Sequence, residues 1–137
     1  MSQVIVRQLL EQRLASLSPA LATAWENNKF VRTLDAPHQV ATLLPANSEN
    51  PTMGGGSVQI REYGVLHVML KYPVGTGAGA AQARAELLRS HFPRGLVLTS
   101  GNVRVSIHDT PSVAPALTES EMYGLPVMVA YMADINT

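Results

Sequence analysis

In the middle of the chain, residues 65–72 alternate between an apolar face and a face that carries Val65, His67, Met69 and Lys71. One face of this extended segment would carry Leu66, Val68, Leu70 and Tyr72. A period of two, built mostly from β-forming residues, predicts a strand. Pro73 has no N–H to donate to a sheet, so we expect the strand to end there. Residues 58–61 lead into it, and we expect a bulge or turn near Tyr63 and Gly64.

Two segments show the spacing of amphipathic helices. From Ala80 onward, apolar residues recur every three or four positions, at Ala81, Ala85, Leu88 and Phe92. This spacing predicts a helix with one apolar face, which Pro93 and Gly95 would end. A first helix is predicted at the N-terminus, with Ser2 as its N-cap and Ser18 before Pro19 as its end. Its apolar stripe would contain Val4, Leu9, Leu10, Arg13, Leu14 and Leu17.

The turn before the second helix reads Gly75-x-Gly77-x-x-Ala80, which is formally a dinucleotide-binding fingerprint. In such sites, backbone N–H groups at a helix N-terminus bind the pyrophosphate. Pro73 separates the strand from these glycines, and no carboxylate follows at the expected distance of about 20 residues. We therefore predict a structural turn formed by Pro73, Gly75 and Gly77. A small-ligand or nucleotide-binding module that uses Gly75 to Ala80 is the alternative.

The hydrophobic pattern of the rest of the chain predicts further strands, and so a fold that combines helices and strands. Short strands are predicted at residues 40–44, which Pro45 would close, at 103–108 and at 127–132. The order of elements predicts an α+β fold, in which two helices pack on one face of a mainly antiparallel β-sheet with long loops. The 137 residues are expected to form a single domain, residues 1–137.

Two long loops are predicted from composition. Residues 46–57 contain Asn, Ser, Pro and three consecutive glycines, and residues 109–123 contain two prolines and an acidic run. Long loops in a compact domain commonly bind partners. The predicted partner contacts are Met53, Gly54, Gly55, Gly56, Arg61, Glu121, Met122 and Tyr123.

The number and sign of the charged residues favour some classes of function and argue against others. Only 15% of the residues are charged, and ten basic and ten acidic residues give a net charge of zero. So few charges favour association with other copies or other proteins. The chain has no cluster of Lys and Arg, which argues against sequence-specific binding of nucleic acid. Since it has no apolar run of about 18 residues, no membrane span is expected.

The chain carries few residues with catalytic or metal-binding patterns. It has no cysteine, which excludes disulfides and thiolate metal sites. Neither an HExxH motif nor a nucleophile elbow is present. His67 and His108 lie on predicted strands and could meet across the sheet, but we interpret them as surface residues. We therefore predict no catalytic residue, no metal and no cofactor.

An ordered set of residues, spread over nearly the whole chain, resembles a known pattern. In chain order the set contains Trp25, Glu26, Asn27, Phe30, Leu43, Leu44, Pro45, Ala46, Gly64, Tyr72, Pro73, Gly75, Gly77, Phe92, Pro93, Gly95, Leu125, Pro126, Val127, Tyr131 and Ala133. No single motif is specific, but the order is distinctive. It resembles the tail terminator (tail completion) proteins of long-tailed bacteriophages and prophages.

The resemblance implies a non-enzymatic virion component of the tail, present in the cytoplasm of the host bacterium during assembly. Such proteins are α+β subunits that close into a ring, usually a hexamer, on the head-proximal end of the tail tube. The ring ends tube polymerisation and offers a docking face to the head. The implied partners are further copies of the chain, the tail tube protein and the head–tail connector protein. Another head–tail joining protein is the alternative.

Overall fold

The computed structural model of the chain describes residues 2–18, 21–26, 37–49, 59–75, 77–119 and 122–136. These residues form two helices and eight strands. In chain order the elements are α1 (Ser2–Ala15), β1 (Thr23–Ala24), β2 (His38–Glu49), β3 (Gln59–Pro73), α2 (Gly79–His91), β4 (Val97–Ser100), β5 (Val103–Ile107), β6 (Ser112–Val113), β7 (Leu117–Glu119) and β8 (Met122–Asn136).

The described strands form one sheet in the order β1-β2-β3-β8-β5-β4, and β6 and β7 also pair with β8. β1 runs parallel to β2, and the other described pairs run antiparallel. The α+β class is therefore confirmed, but the sheet is mixed, whereas a mainly antiparallel sheet was predicted. The parallel pair was not predicted because β1 has only two residues, too few to show a period of two.

The core lies between the sheet and the two helices. On β8 every second residue from Leu125 to Ile135 is buried. The large or aliphatic apolar residues buried on β3 and on the helices are Leu66, Val68, Leu70, Val6, Leu10, Leu14, Ala81, Ala85 and Leu88. Since all of them belong to one apolar cluster, both helices pack on the same face of the sheet.

Both predicted helices are present, but they end at residues other than those predicted. The predicted apolar face of α2 is buried as a whole, including Phe92 just beyond the helix. α1 ends at Ala15, earlier than predicted. Val4, assigned to the apolar stripe of α1, is 55% exposed, and Val6 is buried instead. The packing direction of α1 across the sheet decides which of these valines meets the core.

β3 is continuous, so the predicted break near Gly64 is wrong. Gly64 pairs with Pro45 on one side and with Tyr131 on the other. A β-carbon added to Gly64 would lie 2.6 Å from Cζ and 2.8 Å from Cε1 of Tyr131. The tyrosine ring therefore occupies the space that a larger side chain would need. Gly64 therefore allows close packing against Tyr131 within the strand and does not form a turn.

β2 passes through Pro45, where the sequence predicted its end, and continues to Glu49. The N–H groups of Gln39 and Leu43 point away from β3, as their hydrogen bonds show. Because this direction alternates along a strand, position 45 also faces away from β3. The proline thus removes no hydrogen bond between β2 and β3. The irregularity expected in β3 lies in β2 instead, where the register shifts between Pro45 and Ser48.

Residues 109–123 were predicted to form a loop, but two short strands within them, Ser112–Val113 and Leu117–Glu119, pair with β8. β5, β6 and β7 follow one another along the same edge of β8. The interruptions between them contain Pro111 and Pro115, which have no N–H to donate. β8 is also longer than the predicted 127–132, since it begins at Met122. Strands of two or three residues show no periodicity, which is why composition alone predicted a loop.

Hydrogen bonds join the C-terminal ends of the two helices. The Arg13 guanidinium donates from Nε and Nη2 to the carbonyl oxygen of His91, at 3.0 and 2.8 Å. His91 Nε2 lies 2.6 Å from the carbonyl oxygen of Arg13. The carbonyl group of His91 lies at the end of α2 and has no helical N–H partner, so the guanidinium satisfies a group that would otherwise need water. These hydrogen bonds hold α1 against α2 and so fix the helical layer.

We expect Gly64→Ala to destabilise the protein by about 1–3 kcal/mol, because the added methyl group forces the Tyr131 ring out of place. The measurement is the free energy of unfolding from urea denaturation. Gly79→Ala is the matched control, since nothing lies within 4 Å of its added carbon. Alanine favours the helix there and should leave stability equal or slightly higher. Equal stabilities of the two variants would contradict the packing argument.

Candidate interaction surfaces

The sheet face opposite the helices carries apolar residues that no described helix covers. These residues alternate with the core residues along β2, β3 and β8, and they are Val40, Leu44, Val65, Met69, Met128, Ala130 and Met132. We call this surface the open face. Leu44 is 47% exposed, and the other six residues are half-buried. Thr42 and His67 lie among these residues on the same face. Exposed apolar side chains with a polar surround are typical of interaction sites, and methionine side chains adapt to varied partners.

A groove of about 540 Å³ lies on the open face. Val65, Met128 and Ala130 form its apolar part, and Arg94 and Asp109 are among its polar lining. Protein interfaces commonly combine an apolar centre with a polar periphery. The groove therefore has the composition of a protein-binding surface.

A second concavity lies on the helix side of the sheet, between the start of α1 and the strands β2 and β3. Its volume is about 230 Å³, and its lining is Val4, Val6, Arg7, Leu43, Pro45, Glu62 and Tyr131. We call it the Tyr131 pocket. Burial and, after it, the negative charge of Glu62 raise the pKa of Tyr131, so its hydroxyl stays neutral. Small-molecule sites usually measure roughly 300–1,000 Å³, so this pocket suits a single side chain better than a cofactor.

Glu26 covers the outer edge of β2 beside this pocket. Its Oε1 accepts a hydrogen bond from the N–H of Leu43 at 2.6 Å and another from Nη1 of Arg7 at 2.9 Å. The Leu43 N–H and then Arg7 lower the pKa of Glu26 from its ordinary value. Exposed N–H groups on a sheet edge allow another chain to add a strand. Glu26 occupies one such group, and Pro45 has none.

The structure places three of the predicted contact residues in strands. Arg61 lies on β3, and its Nε donates to Oδ1 of Asp134 at 2.7 Å. Met122 and Tyr123 lie in β8 rather than in a loop, so their predicted loop placement is wrong. Met122 is only 3% exposed, and Tyr123 is half-buried. The other predicted contacts lie outside the described residues, namely Met53, Gly54, Gly55, Gly56 and Glu121.

The glycine-rich segment forms the turn between β3 and α2. β3 ends at Pro73, and Gly75 and Gly77 have φ angles of 93° and 84°. Glycine adopts this left-handed region without a steric penalty. β3 has antiparallel neighbours on both sides, whereas the dinucleotide fingerprint belongs to a parallel β-α-β unit. The geometry therefore favours a structural turn over a nucleotide site.

The two histidines that the sequence placed on strands have different surroundings. His67 lies on β3 opposite Met128. His108 follows β5 and packs edge-on against the Tyr63 ring, with 6.4 Å between ring centroids. Among the described residues, no group of three potential metal ligands occurs. None of the helices in that part of the chain has the length and hydropathy to cross a membrane.

Comparison with known proteins assigns the family. The sequence profile of a family described as phage tail terminator protein matches residues 5–131. The chain belongs to the phage tail terminator family. One solved structure superposes on it with a TM-score of 0.77 at 28% identity, over 97% of this chain and 96% of the other. No curated protein matches the chain.

Membership of the tail terminator family confirms the resemblance drawn from the sequence and assigns the chain a role in phage tail assembly. The structure shows what three residues of that sequence pattern contact. Gly64 and Tyr131 form one packing unit, and Glu26 covers the edge of β2. The Tyr131 pocket was not predicted, because its lining comes from four separate elements. Of its lining, only Leu43, Pro45 and Tyr131 belonged to the sequence pattern, and that membership was the one signal for it.

In this tail terminator family member, Glu26 should make stability depend on pH in the acid range. Its folded-state pKa lies below the ordinary value of 4.5. Its stabilising effect is therefore fully present above about pH 4.5 and is lost as the pH falls through the folded-state pKa. The side chain is 35% exposed, so we expect an effect below about 1 kcal/mol.

The measurement is the free energy of unfolding of the wild type and of Glu26→Gln, from about pH 7 down to about pH 3. The difference between the two proteins should shrink as the pH falls. Glu86→Gln, on the exposed surface of α2, is the control and should follow the wild type. A difference that widens toward low pH would refute the role given to Glu26.

Proposed function

We propose that the chain is a non-enzymatic virion protein. Several copies, typically six, close into a ring on the head-proximal end of the tail tube. The ring ends tube polymerisation and provides the face to which the head is joined. The observation that carries this proposal is the family match over residues 5–131. The partners are further copies of the chain, the tail tube protein and the head–tail connector protein. The chain acts in the host cytoplasm during assembly and then in the virion tail.

The two faces of the subunit differ in the way that termination requires. A terminator has to bind the last ring of the tube on one side and must not accept another tube ring on the other. The open face presents apolar side chains and a groove, which suit a protein partner. The opposite side is covered by helices, and α2 exposes polar residues there, among them Gln82, Glu86 and Arg89. We assign the open face to the tube.

The test is the length of tubes that the cognate tail tube protein forms with and without the chain, measured by negative-stain electron microscopy. With the wild type, elongation should stop, and the chain should be found at tube ends. Leu44→Glu places a charge on the open face and should abolish this effect, because the charge would be buried against the tube. Leu87→Glu, on α2, is the matched control, since the exposed fractions are 47% for Leu44 and 40% for Leu87.

The same assay separates the alternatives. Tubes of unchanged length, together with a requirement for the chain in head attachment, would replace termination by another head–tail joining role. If Leu44→Glu and Leu87→Glu cap tubes equally well, the tube contact lies elsewhere on the subunit.

A further inference from the structure

A row of charged residues with alternating signs crosses one end of the open face. Its members are direct partners across adjacent strands, in the order Glu49 on β2, Arg61 on β3, Asp134 on β8 and Arg104 on β5. They belong to the open face because buried core residues stand on both sides of Asp134 and of Arg104 along their strands. The apolar part of the open face therefore ends at a charged border.

The two acidic residues of this row have partners within the subunit. Asp134 Oδ1 accepts a hydrogen bond from Arg61 Nε at 2.7 Å, and Glu49 Oε1 accepts one from the Tyr63 hydroxyl at 2.8 Å. Arg104 is exposed, and no salt bridge between described residues includes it. The row thus ends in a hydrogen-bonded carboxylate on the β2 side and in an exposed guanidinium on the β5 side.

A second cation lies at the other end of β5. Arg94 precedes β4, and the N–H of the next residue, Gly95, donates to the carbonyl oxygen of Ile107 at 2.7 Å. From the rise of a strand, Arg94 and Arg104 are roughly 10–13 Å apart along β5. Arg94 is exposed and lines the groove, and the salt bridges between described residues do not include it either.

Positive charge exceeds negative charge on this side of the open face. Asp109 is the carboxylate in the described lining of the groove, and its Oδ2 lies 3.6 Å from Nε2 of His108. Arg94 and Arg104 together outnumber it. On the β2 side, by contrast, Leu44 provides exposed apolar surface.

A protein surface that carries carboxylates is the partner that these arginines favour. Guanidinium groups bind carboxylates through paired hydrogen bonds. A neutral surface would remove water from the guanidinium groups without replacing its hydrogen bonds, and a basic surface would repel them. Val65, Met128 and Ala130 lie beside Arg94 in the groove, and such apolar surface suits a protein better than a nucleic acid.

We propose that the tail tube protein presents carboxylates to Arg94 and Arg104, beside an apolar surface that covers the groove. The inference rests on the tube contact of the proposed function and specifies the chemistry of the tube surface that the open face binds.

The first test measures binding of the chain to preformed tubes of the cognate tail tube protein by co-sedimentation. The wild type should bind about tenfold or more weakly at about 0.5 M salt than at about 0.05 M, because ions screen the charges at the contact. Arg94→Glu together with Arg104→Glu should weaken binding at low salt by about tenfold or more, since carboxylates would then face carboxylates. Arg89→Glu makes the same charge change on the exposed surface of α2 and should bind like the wild type.

Neutral variants compare the two ends of the charged row. Arg104→Gln should weaken binding, whereas Glu49→Gln removes a negative charge and should bind as tightly as the wild type or more tightly. Circular dichroism checks that each variant folds. If the charge-reversed double variant does not fold, Arg94→Gln together with Arg104→Gln replaces it.

A cross-linking experiment tests for the carboxylate directly. Arg104→Lys keeps the positive charge and supplies an amine, which a carbodiimide joins to a contacting carboxylate as an amide while the carbodiimide takes up the water released. Mass spectrometry should show position 104 joined to an Asp or Glu of the tube protein. Arg89→Lys, on α2, is the control and should give no such product.

Three results would each overturn the inference: wild-type binding that does not depend on salt, normal binding by the charge-reversed variant, or no cross-link from Arg104→Lys to an acidic residue of the tube protein.

The tube-length assay separates this inference from the proposed function. A wild type that stops tube growth, although salt and charge reversal leave its binding unchanged, overturns only the arginine contact. A wild type that binds tubes through these arginines but leaves tube length unchanged overturns only the termination role.

Discussion

The pairing of β3 with β8 is the constraint on which the rest of the structure depends. Every residue from Gln59 to Pro73 faces a partner between Asn136 and Met122. A slip of one residue would exchange the core side chains with those of the open face. Gly64 under the ring of Tyr131 opposes such a slip, because any other residue of β3 at that position would clash with the ring. One close contact therefore maintains the difference between the two faces.

That difference gives a physical basis for a terminating subunit. The helices cover one face, and the bonds between Arg13 and His91 hold the helical layer in place. Among the described residues, the other face keeps apolar side chains and a groove exposed, a composition that protein interfaces commonly have. For the proposed termination role, the face that does not bind the tube must lack complementarity to a further tube ring.

Side-chain contacts and prolines limit strand addition along β2 and β8. A chain with only 15% charged residues has little electrostatic protection against unwanted strand addition. Glu26 and Pro45 protect the edge of β2, and Pro111 and Pro115 interrupt the strands along β8. Association is thereby directed to contacts between side chains.

The sequence by itself determined the α+β class, both helices, the central strand and the family, because long periodic segments and an ordered set of residues depend on local spacing. It could not determine the parallel pairing of β1, the strands within 109–119 or the passage of β2 through Pro45. Those features depend on which N–H groups face a neighbouring strand, and that is decided only when distant segments pair. The Tyr131 pocket and the edge contact of Glu26 likewise join residues that are far apart in the chain, so only the tertiary structure brings them together.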